Sequence, residues 1–159
     1  DFALSDEESW MEVDLCAEIE STLIVLKNEL KYKVQIEKQF PAEPVFIWGK
    51  ASKIRQLLFN TILNSLQAMV SGGTLTIECK QEQDKIRLII EDTGAGIAES
   101  DLERIFDPFY TTKEVGQGTG LGLSEVYTII EEHEASVDVL SKVGEGSRFV
   151  FVFNTPKSS

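Results

Sequence analysis

The sequence predicts an α+β domain in which a mixed, mostly antiparallel sheet carries three helices on one face, a two-layer sandwich. Two observations lead to this prediction. Segments with helical spacing of apolar residues occur between strand-like segments, and the last four strand-like segments form two pairs, each joined by a short turn. The chain also has 159 residues, of which 42% are hydrophobic, which is enough for one domain with a single core. Hairpins and helices of this kind bury their apolar faces against each other in two layers.

The predicted elements follow one another as apolar patterns bounded by turn residues. Residues 1–12 are acidic and irregular, and we interpret them as a linker that precedes a domain over 13–156. The patterns predict helices over 15–31, 52–70, 99–105 and 121–133, and strands over 34–40, 45–49, 74–81, 85–92, 136–143 and 147–154.

Each element has a local signal. In the first helix Ile19, Leu23 and Leu26 recur at helical spacing, and the second helix has a similar apolar side that ends at Gly72. The strands over 34–40 and 45–49 are an alternating segment and a short apolar segment. The remaining strands form two hairpins, which turn at 83–84 and at 144–146.

The composition excludes several kinds of protein. Fifteen basic and 27 acidic residues give a net charge of −12, which disfavours binding to nucleic acid. A single histidine leaves almost no material for a zinc site or a histidine triad. No apolar run approaches the roughly 18 residues of a membrane helix, so we expect no membrane contact. Cys16 and Cys79 lack a C-x-x-C pattern and are interpreted as reduced core thiols of an intracellular domain.

Two polar motifs stand next to apolar elements. Asn60 and Asn64 are one helical turn apart in a segment whose neighbours should be buried, and an amide oxygen can ligate Mg²⁺. Asp92 ends an apolar strand, where its carboxylate could accept a hydrogen bond from a base, and Gly94 and Gly96 follow it. Taken singly, these motifs are also consistent with surface asparagines and an ordinary turn.

Two further motifs come later in the chain. Residues 104–113 place Phe106 among other aromatic residues around an Asp-Pro pair, consistent with an apolar anchor or with a simple core turn. Residues 116–122 contain four glycines and run directly into a helix, with a weaker glycine pair at 144–147. The spacing fits neither a Walker loop nor a dinucleotide fingerprint.

Together, in this order and at these separations, the four motifs resemble the N, G1, F and G2 boxes of sensor histidine kinase catalytic domains. That family belongs to the superfamily of gyrase, heat-shock chaperone, histidine kinase and mismatch-repair ATPases. The resemblance covers about residues 13–155 and implies the Bergerat α/β sandwich, with ATP and Mg²⁺ as ligands. It identifies the glycine stretch as an ATP lid, and we expect residues 111–119 to be mobile without nucleotide.

The resemblance also implies a role for each matching residue. Asn64 is similar to the Mg²⁺ ligand, Asn60 to its polar catalytic neighbour, and Asp92 to the carboxylate that reads adenine. The nucleotide-binding residues implied are Asn64, Asp92, Gly94, Gly96, Ile97, Phe106, Lys113, Gly118, Thr119, Gly120, Leu121, Gly122 and Ser147. The chain departs from the family in Ser65, where many members have alanine, and in Glu134-Ala135, where Gly-Gly is common after the histidine.

The residue at position 60 distinguishes between branches of the superfamily. The ATP-hydrolysing branches resemble one another in placing a carboxylate there, one turn before the metal asparagine, where it can activate water. Asn60 is an amide, so the resemblance implies a kinase that transfers the γ-phosphate to a histidine elsewhere. His133 lies outside the phosphoacceptor motif of the family and is interpreted as a helix-terminal residue.

The partners follow from the same resemblance. It implies a dimerisation and phosphoacceptor hairpin in the parent chain and the receiver domain of a response regulator, with the fragment itself monomeric and cytoplasmic. An ATP-hydrolysing clamp, a non-catalytic nucleotide-sensing module and a serine kinase acting on a partner protein are the alternatives.

Overall fold

The computed structural model describes residues 9–29, 34–107 and 122–156. The strands are β1 (Trp10–Asp14), β2 (Val34–Gln39), β3 (Phe46–Lys50), β4 (Gly73–Glu82), β5 (Lys85–Asp92), β6 (Ser136–Lys142) and β7 (Gly146–Asn154). The helices are α1 (Leu15–Val25), α2 (Ala51–Ala68), α3 (Glu99–Leu102) and α4 (Gly122–Glu132), and a 3-10 turn (Leu26–Glu29) follows α1.

The main sheet has five strands in the order β2-β4-β5-β7-β6. Only the β2–β4 pair is parallel, and the other three pairs are antiparallel. The predicted α+β fold with a mixed, mostly antiparallel sheet and three long helices is therefore confirmed. β4–β5 and β6–β7 are the two predicted hairpins.

The beginning of the chain differs from the prediction. Residues 10–12, expected to be irregular, belong to β1, which pairs antiparallel with β3 in a separate two-stranded sheet. The described residues thus form two sheets where one was expected. The pairing was missed because β1 has no clear alternation and its partner lies more than thirty residues later. Helix ends also differ: α1 gives way to the 3-10 turn at Leu26, and α3 stops at Leu102.

One face of the five-stranded sheet forms the core with the long helices. The register places apolar side chains in rows across β4, β5 and β7, such as Ile77, Ile90 and Phe149. These side chains are fully buried and belong to one cluster with residues of α1, α2 and α4. The helices therefore cover a single face, because the intervening residues of β4, such as Glu78, point to the other side.

His133, directly after α4, connects the end of this helix to the two-stranded sheet by a hydrogen bond. Its Nε2 accepts a hydrogen bond from the Lys50 N–H (3.1 Å), so Nδ1 carries the proton and donates to the Ile129 carbonyl (2.8 Å). The imidazole fills the space that a side chain at Gly49 would need and packs against Trp10 with ring centres 4.8 Å apart. Burial lowers the pKa of His133. This histidine is helix-terminal, as predicted, and it is also buried.

Candidate nucleotide-binding site

The candidate site lies where the apolar face of the main sheet ends in a row of polar residues. The register pairs Asp92 of β5 with Leu75 on one side and with Ser147 on the other, and Ser147 pairs with Ser141 of β6. Residues paired directly across strands share a face, so this row continues the core side of the sheet. In the next row, two residues along, Ile77, Ile90 and Phe149 of the three central strands are apolar and buried. The first polar side chains past the core are thus on the side covered by the helices.

Asp92 is a buried carboxylate with few partners. It is 3% exposed, and its Oδ1 accepts a hydrogen bond from the Gly94 N–H at 2.8 Å. Burial raises the pKa of Asp92, while the N–H of Gly94 and the Ser65 hydroxyl act in the opposite direction. Because no cation lies beside this buried carboxylate in the part of the chain that the structure describes, the site favours a ligand that can donate a hydrogen bond to it.

Ser65 of α2 contributes a further hydroxyl group near the Asp92 carboxylate. The sequence marked it only as a departure from the family, yet its side chain is fully buried and its Oγ makes no well-aligned hydrogen bond among the described residues. Ala68, three residues later on the same face of α2, accepts a hydrogen bond from the Ala95 N–H (3.0 Å). This contact turns the Ser65 side of α2 toward the loop that follows Asp92.

The two glycines of that loop are required by close backbone packing. A Cβ at Gly94 would lie 2.6 Å from the Ala68 carbonyl oxygen. Gly96 has φ of +79°, and a Cβ there would collide with the Lys142 carbonyl. The sequence interpretation gave these glycines a role beneath a base, and the packing supplies a structural reason for both.

The turn between β6 and β7 braces the same loop. The Ile97 N–H donates to the Ser141 hydroxyl at 2.6 Å, and the two hydroxyls of Ser141 and Ser147 lie 2.8 Å apart. Gly144 donates its N–H to the Ala95 carbonyl at 2.8 Å. Gly144 of the late glycine pair thus holds the loop after Asp92, and Ser147 and Ile97 take part in that support.

Asn60 links α2 to the beginning of α4. Its Nδ2 donates to the Gly122 carbonyl and to the Glu125 carboxylate, each at 3.1 Å. Both bonds use the amide hydrogens, and no hydrogen bond to the Oδ1 of Asn60 is found in the described parts of the chain. Sequence reasoning missed Glu125, whose only signal was its position in the first turn of the last helix.

Asn64 lies one turn further along α2 and is half-buried. No hydrogen bond of its side chain is found among the described residues, so its amide oxygen is available. The same residues contain no cluster of three His, Cys, Asp or Glu side chains that could hold a metal ion alone. Two amide oxygens that have no hydrogen bond within the described ranges fit Mg²⁺ bound partly by the phosphates of a nucleotide, since that ion often takes only one or two protein ligands.

The remaining predicted residues divide into two groups. Phe106 packs against Tyr127 of α4 with ring centres 5.5 Å apart, and Gly122 begins that helix. Lys113, Gly118, Thr119, Gly120 and Leu121, together with the lid interval 111–119, lie outside the described residues.

Two surface cavities of the described parts of the domain bear on the site. One of about 230 Å³ borders Asp92 and Ser147 but lies against the β6–β7 turn and does not reach Asn60 or Asn64. The other, of about 320 Å³, is a groove between α1 and α2 away from the polar row. Neither represents a complete nucleotide cleft, since the segment 108–121 that precedes α4 is outside the described residues.

Comparison with known families decides the class of the domain. The family described as histidine kinase-, DNA gyrase B-, and HSP90-like ATPase matches residues 49–157. The chain belongs to this family. The match spans α2, the Asp92 loop and α4, the elements that form the polar row and its surroundings.

Relatives place this ATPase-family domain among histidine kinases. The chain is 32% identical over 139 residues to the sensor histidine kinase ZraS of Escherichia coli K12, covering 86% of this chain and 29% of that protein. It is 35% identical over 118 residues to sporulation kinase A of Bacillus subtilis, covering 74% of this chain and 19% of that kinase. The chain thus spans less than a third of these curated relatives.

Solved structures of histidine kinases support the same assignment. The catalytic domain of the histidine kinase ThkA, in a nucleotide-free form, superimposes with a TM-score of 0.81 at 26% identity, covering 92% of this chain and 96% of that one. The mycobacterial sensor histidine kinase MprB shares the fold with a TM-score of 0.80 at 20% identity, covering 94% of this chain and 100% of that one. The domain is an ATP-binding catalytic domain of the histidine kinase type, as the four motifs predicted.

Proposed function

We propose that this domain binds Mg²⁺-ATP and transfers the γ-phosphate to a histidine on a separate dimerisation domain. The observation that carries the proposal is the buried Asp92 carboxylate at the end of the apolar rows, beside a helix whose Asn60 and Asn64 amide oxygens accept no hydrogen bond from the described residues. This arrangement combines a hydrogen-bond acceptor that can recognise a base with amide oxygens that can ligate a phosphate-bound Mg²⁺.

Asp92 accounts for the choice of base. An ionised carboxylate only accepts hydrogen bonds, so it pairs with the exocyclic amino group of adenine. Guanine presents a carbonyl oxygen at the same position, and two acceptors would face each other in a buried place. Gly94, Gly96 and Ile97 keep the backbone close to the base.

The polyphosphate would bind between α2 and the lid. Mg²⁺, when bound, neutralises phosphate charge and orients the γ-phosphate. Asn64 would be its ligand, with Asn60 beside it. Backbone N–H groups of Gly118, Gly120, Leu121 and Gly122 would contact phosphate with help from Thr119 and Lys113, while Phe106 would anchor the lid.

The acceptor histidine must come from elsewhere. His133 is 5% exposed and uses both ring nitrogens in hydrogen bonds, which leaves neither free for phosphate. The longer relatives are consistent with a parent chain that carries a dimerisation and phosphoacceptor hairpin, with a linker ahead of β1 and the catalytic unit from Trp10 of β1 to residue 156. A response regulator receiver domain would accept the phosphate next, and the isolated domain would be a cytoplasmic monomer. Among the described residues no helix is long and apolar enough to cross a membrane.

A second candidate function is ATP hydrolysis, as in the clamp proteins of the superfamily. It is favoured by one observation, the Glu125 carboxylate 3.1 Å from the Asn60 amide nitrogen. This carboxylate could activate water although position 60 itself is an amide.

Radiolabelled ATP separates the candidates. We expect the domain alone to release little phosphate and to label a supplied phosphoacceptor hairpin with acid-labile label. Rapid phosphate release that is lost in Glu125→Gln would instead support hydrolysis. Binding without transfer to any hairpin would support a nucleotide-sensing module, and acid-stable label on a partner protein would support a serine kinase.

A further inference from the structure

Helix α1 lies over the edge of the main sheet, where a salt bridge joins it to β2. Glu20 of α1 forms a salt bridge with Lys38 of β2, with Oε1 2.9 Å from Nζ. Lys38 pairs with Ile77 of β4 in the parallel register, and both are on the face that the helices cover. The next residue of β4 on this face is Cys79, two positions further along the strand.

The other thiol comes from α1. Cys16 precedes Glu20 by one helical turn, so the two side chains lie on the same side of the helix. Cys16 packs against the core cluster that contains Cys79. The fold therefore brings together two cysteines that are far apart in the sequence, and both are free thiols.

The two thiols differ in their surroundings. Cys79 is 2% exposed, whereas Cys16 is partly accessible in the first turn of α1. The two side chains interact directly: the contact with Cys79 lowers the pKa of Cys16, against the opposing effects of burial and of Asp14. The same contact, together with burial, raises the pKa of Cys79. The pair thus consists of an accessible thiol with the greater thiolate character and a buried partner.

We propose that Cys16 and Cys79 form an oxidant-sensitive dithiol that closes to an intramolecular disulfide in the presence of a peroxide. The Cys16 thiolate attacks one peroxide oxygen, the O–O bond breaks, and Cys16 sulfenic acid and water form after proton uptake. The Cys79 sulfur then attacks the Cys16 sulfur, and the sulfenic hydroxyl leaves as water with the Cys79 proton. Two thiols are oxidised, and one peroxide is reduced to two waters.

The disulfide would tie the beginning of α1 to β4. Its loop would enclose β2, β3 and α2, and cross-links that close long loops stabilise folded domains. The sequence prediction of two reduced core thiols describes one state of this pair. The oxidised state would hold α1, and β1 directly before it, against the main sheet.

The test is oxidation of the reduced domain with hydrogen peroxide, followed by alkylation with N-ethylmaleimide and intact mass measurement. The chain has only two cysteines, so every alkyl group can be assigned. We expect a monomer that has lost two hydrogens and takes up no alkyl group, with Cys16 and Cys79 joined in one proteolytic peptide. Its thermal midpoint should rise by several degrees and return on reduction.

Two variants test the order of steps. Cys79→Ala should stop at a sulfenic acid on Cys16, which dimedone traps, whereas Cys16→Ser should give no dimedone adduct. Parent protein that still takes up two alkyl groups after peroxide, or that forms only dimers, would overturn the proposal without depending on the folding of either variant. Dimedone labelling of Cys16→Ser would overturn the assigned order.

Discussion

The substitution Asn60→Asp gives the sharpest test of the hydrogen bonds that join α2 to α4. The substitution keeps the shape of the side chain but turns a donor into an acceptor, so both 3.1 Å contacts, to the Gly122 carbonyl and to Glu125, become contacts between oxygens. Losing a hydrogen bond to a neutral group costs about 1 kcal/mol, and one to a charged group about 1.5–3 kcal/mol. Two carboxylates at this separation in water add roughly 1 kcal/mol of repulsion.

The contact with Glu125 is exposed, so relaxation and solvent reduce these values, and we expect Asn60→Asp to lower the free energy of unfolding by about 2–3 kcal/mol. Urea denaturation measures this. Glu125→Gln should restore about 1 kcal/mol in the double variant, since its amide can donate to the new carboxylate.

Asn64→Asp is the matched control, because Asn64 lies one turn away on α2 and its side chain has no hydrogen bond among the described residues. It should change unfolding by no more than about 0.5 kcal/mol. An Asn60→Asp loss equally small, or additive effects of the Asn60 and Glu125 substitutions, would contradict the proposed link.

Three further predictions concern separate sites. Asn64→Ala should abolish the Mg²⁺-dependent part of nucleotide affinity while the fold survives; an unchanged magnesium effect in calorimetry would exclude Asn64 as a ligand. Neutral His133 should make its full contribution to the free energy of unfolding above pH about 6.5. This contribution should decline as the pH falls toward the lowered pKa of His133 in the folded state, because the unfolded chain then binds a proton that the folded chain excludes. Urea midpoints between pH 7 and 5 should therefore fall less in His133→Gln than in the parent. Glu134 has φ of +52° after α4, so Glu134→Gly should raise stability by about 1 kcal/mol; a loss of stability would show that its side chain has an unrecognised role.

Local patterns were enough to predict most of the fold. Helix α2 and strands β4, β5 and β7 carry strong apolar periodicity, and the two hairpins have clear turns, so their existence and pairing followed from the sequence. The place of Asp92 was predictable for the same reason, since the residue that ends a buried strand stays on a defined face. β5 does end at Asp92, whereas the burial of its carboxylate was not part of the prediction.

Contacts between distant segments could not be predicted in this way. The pairing of β1 with β3, the bonds from Asn60 to α4 and the approach of Cys16 to Cys79 depend on how elements pack. None of these pairs has a spacing that sequence periodicity can detect. Ser65 is a similar case, because only the packing of α2 against the loop after Asp92 gives its hydroxyl a place beside the carboxylate.

The role of Asp92 is the central claim, and calorimetry of ATP and GTP binding to the parent domain and to Asp92→Asn tests it most directly. We expect the parent to bind ATP with Mg²⁺ and GTP much more weakly, and the variant to lose roughly 10- to 100-fold in ATP affinity, as for a buried hydrogen bond to a charged group. Burial raises the pKa of Asp92, so the charged carboxylate is disfavoured in the folded state at neutral pH, and the variant should unfold at a urea concentration no lower than the parent. Equal affinity of the parent for ATP and GTP, or undiminished ATP binding by a folded variant, would contradict the account.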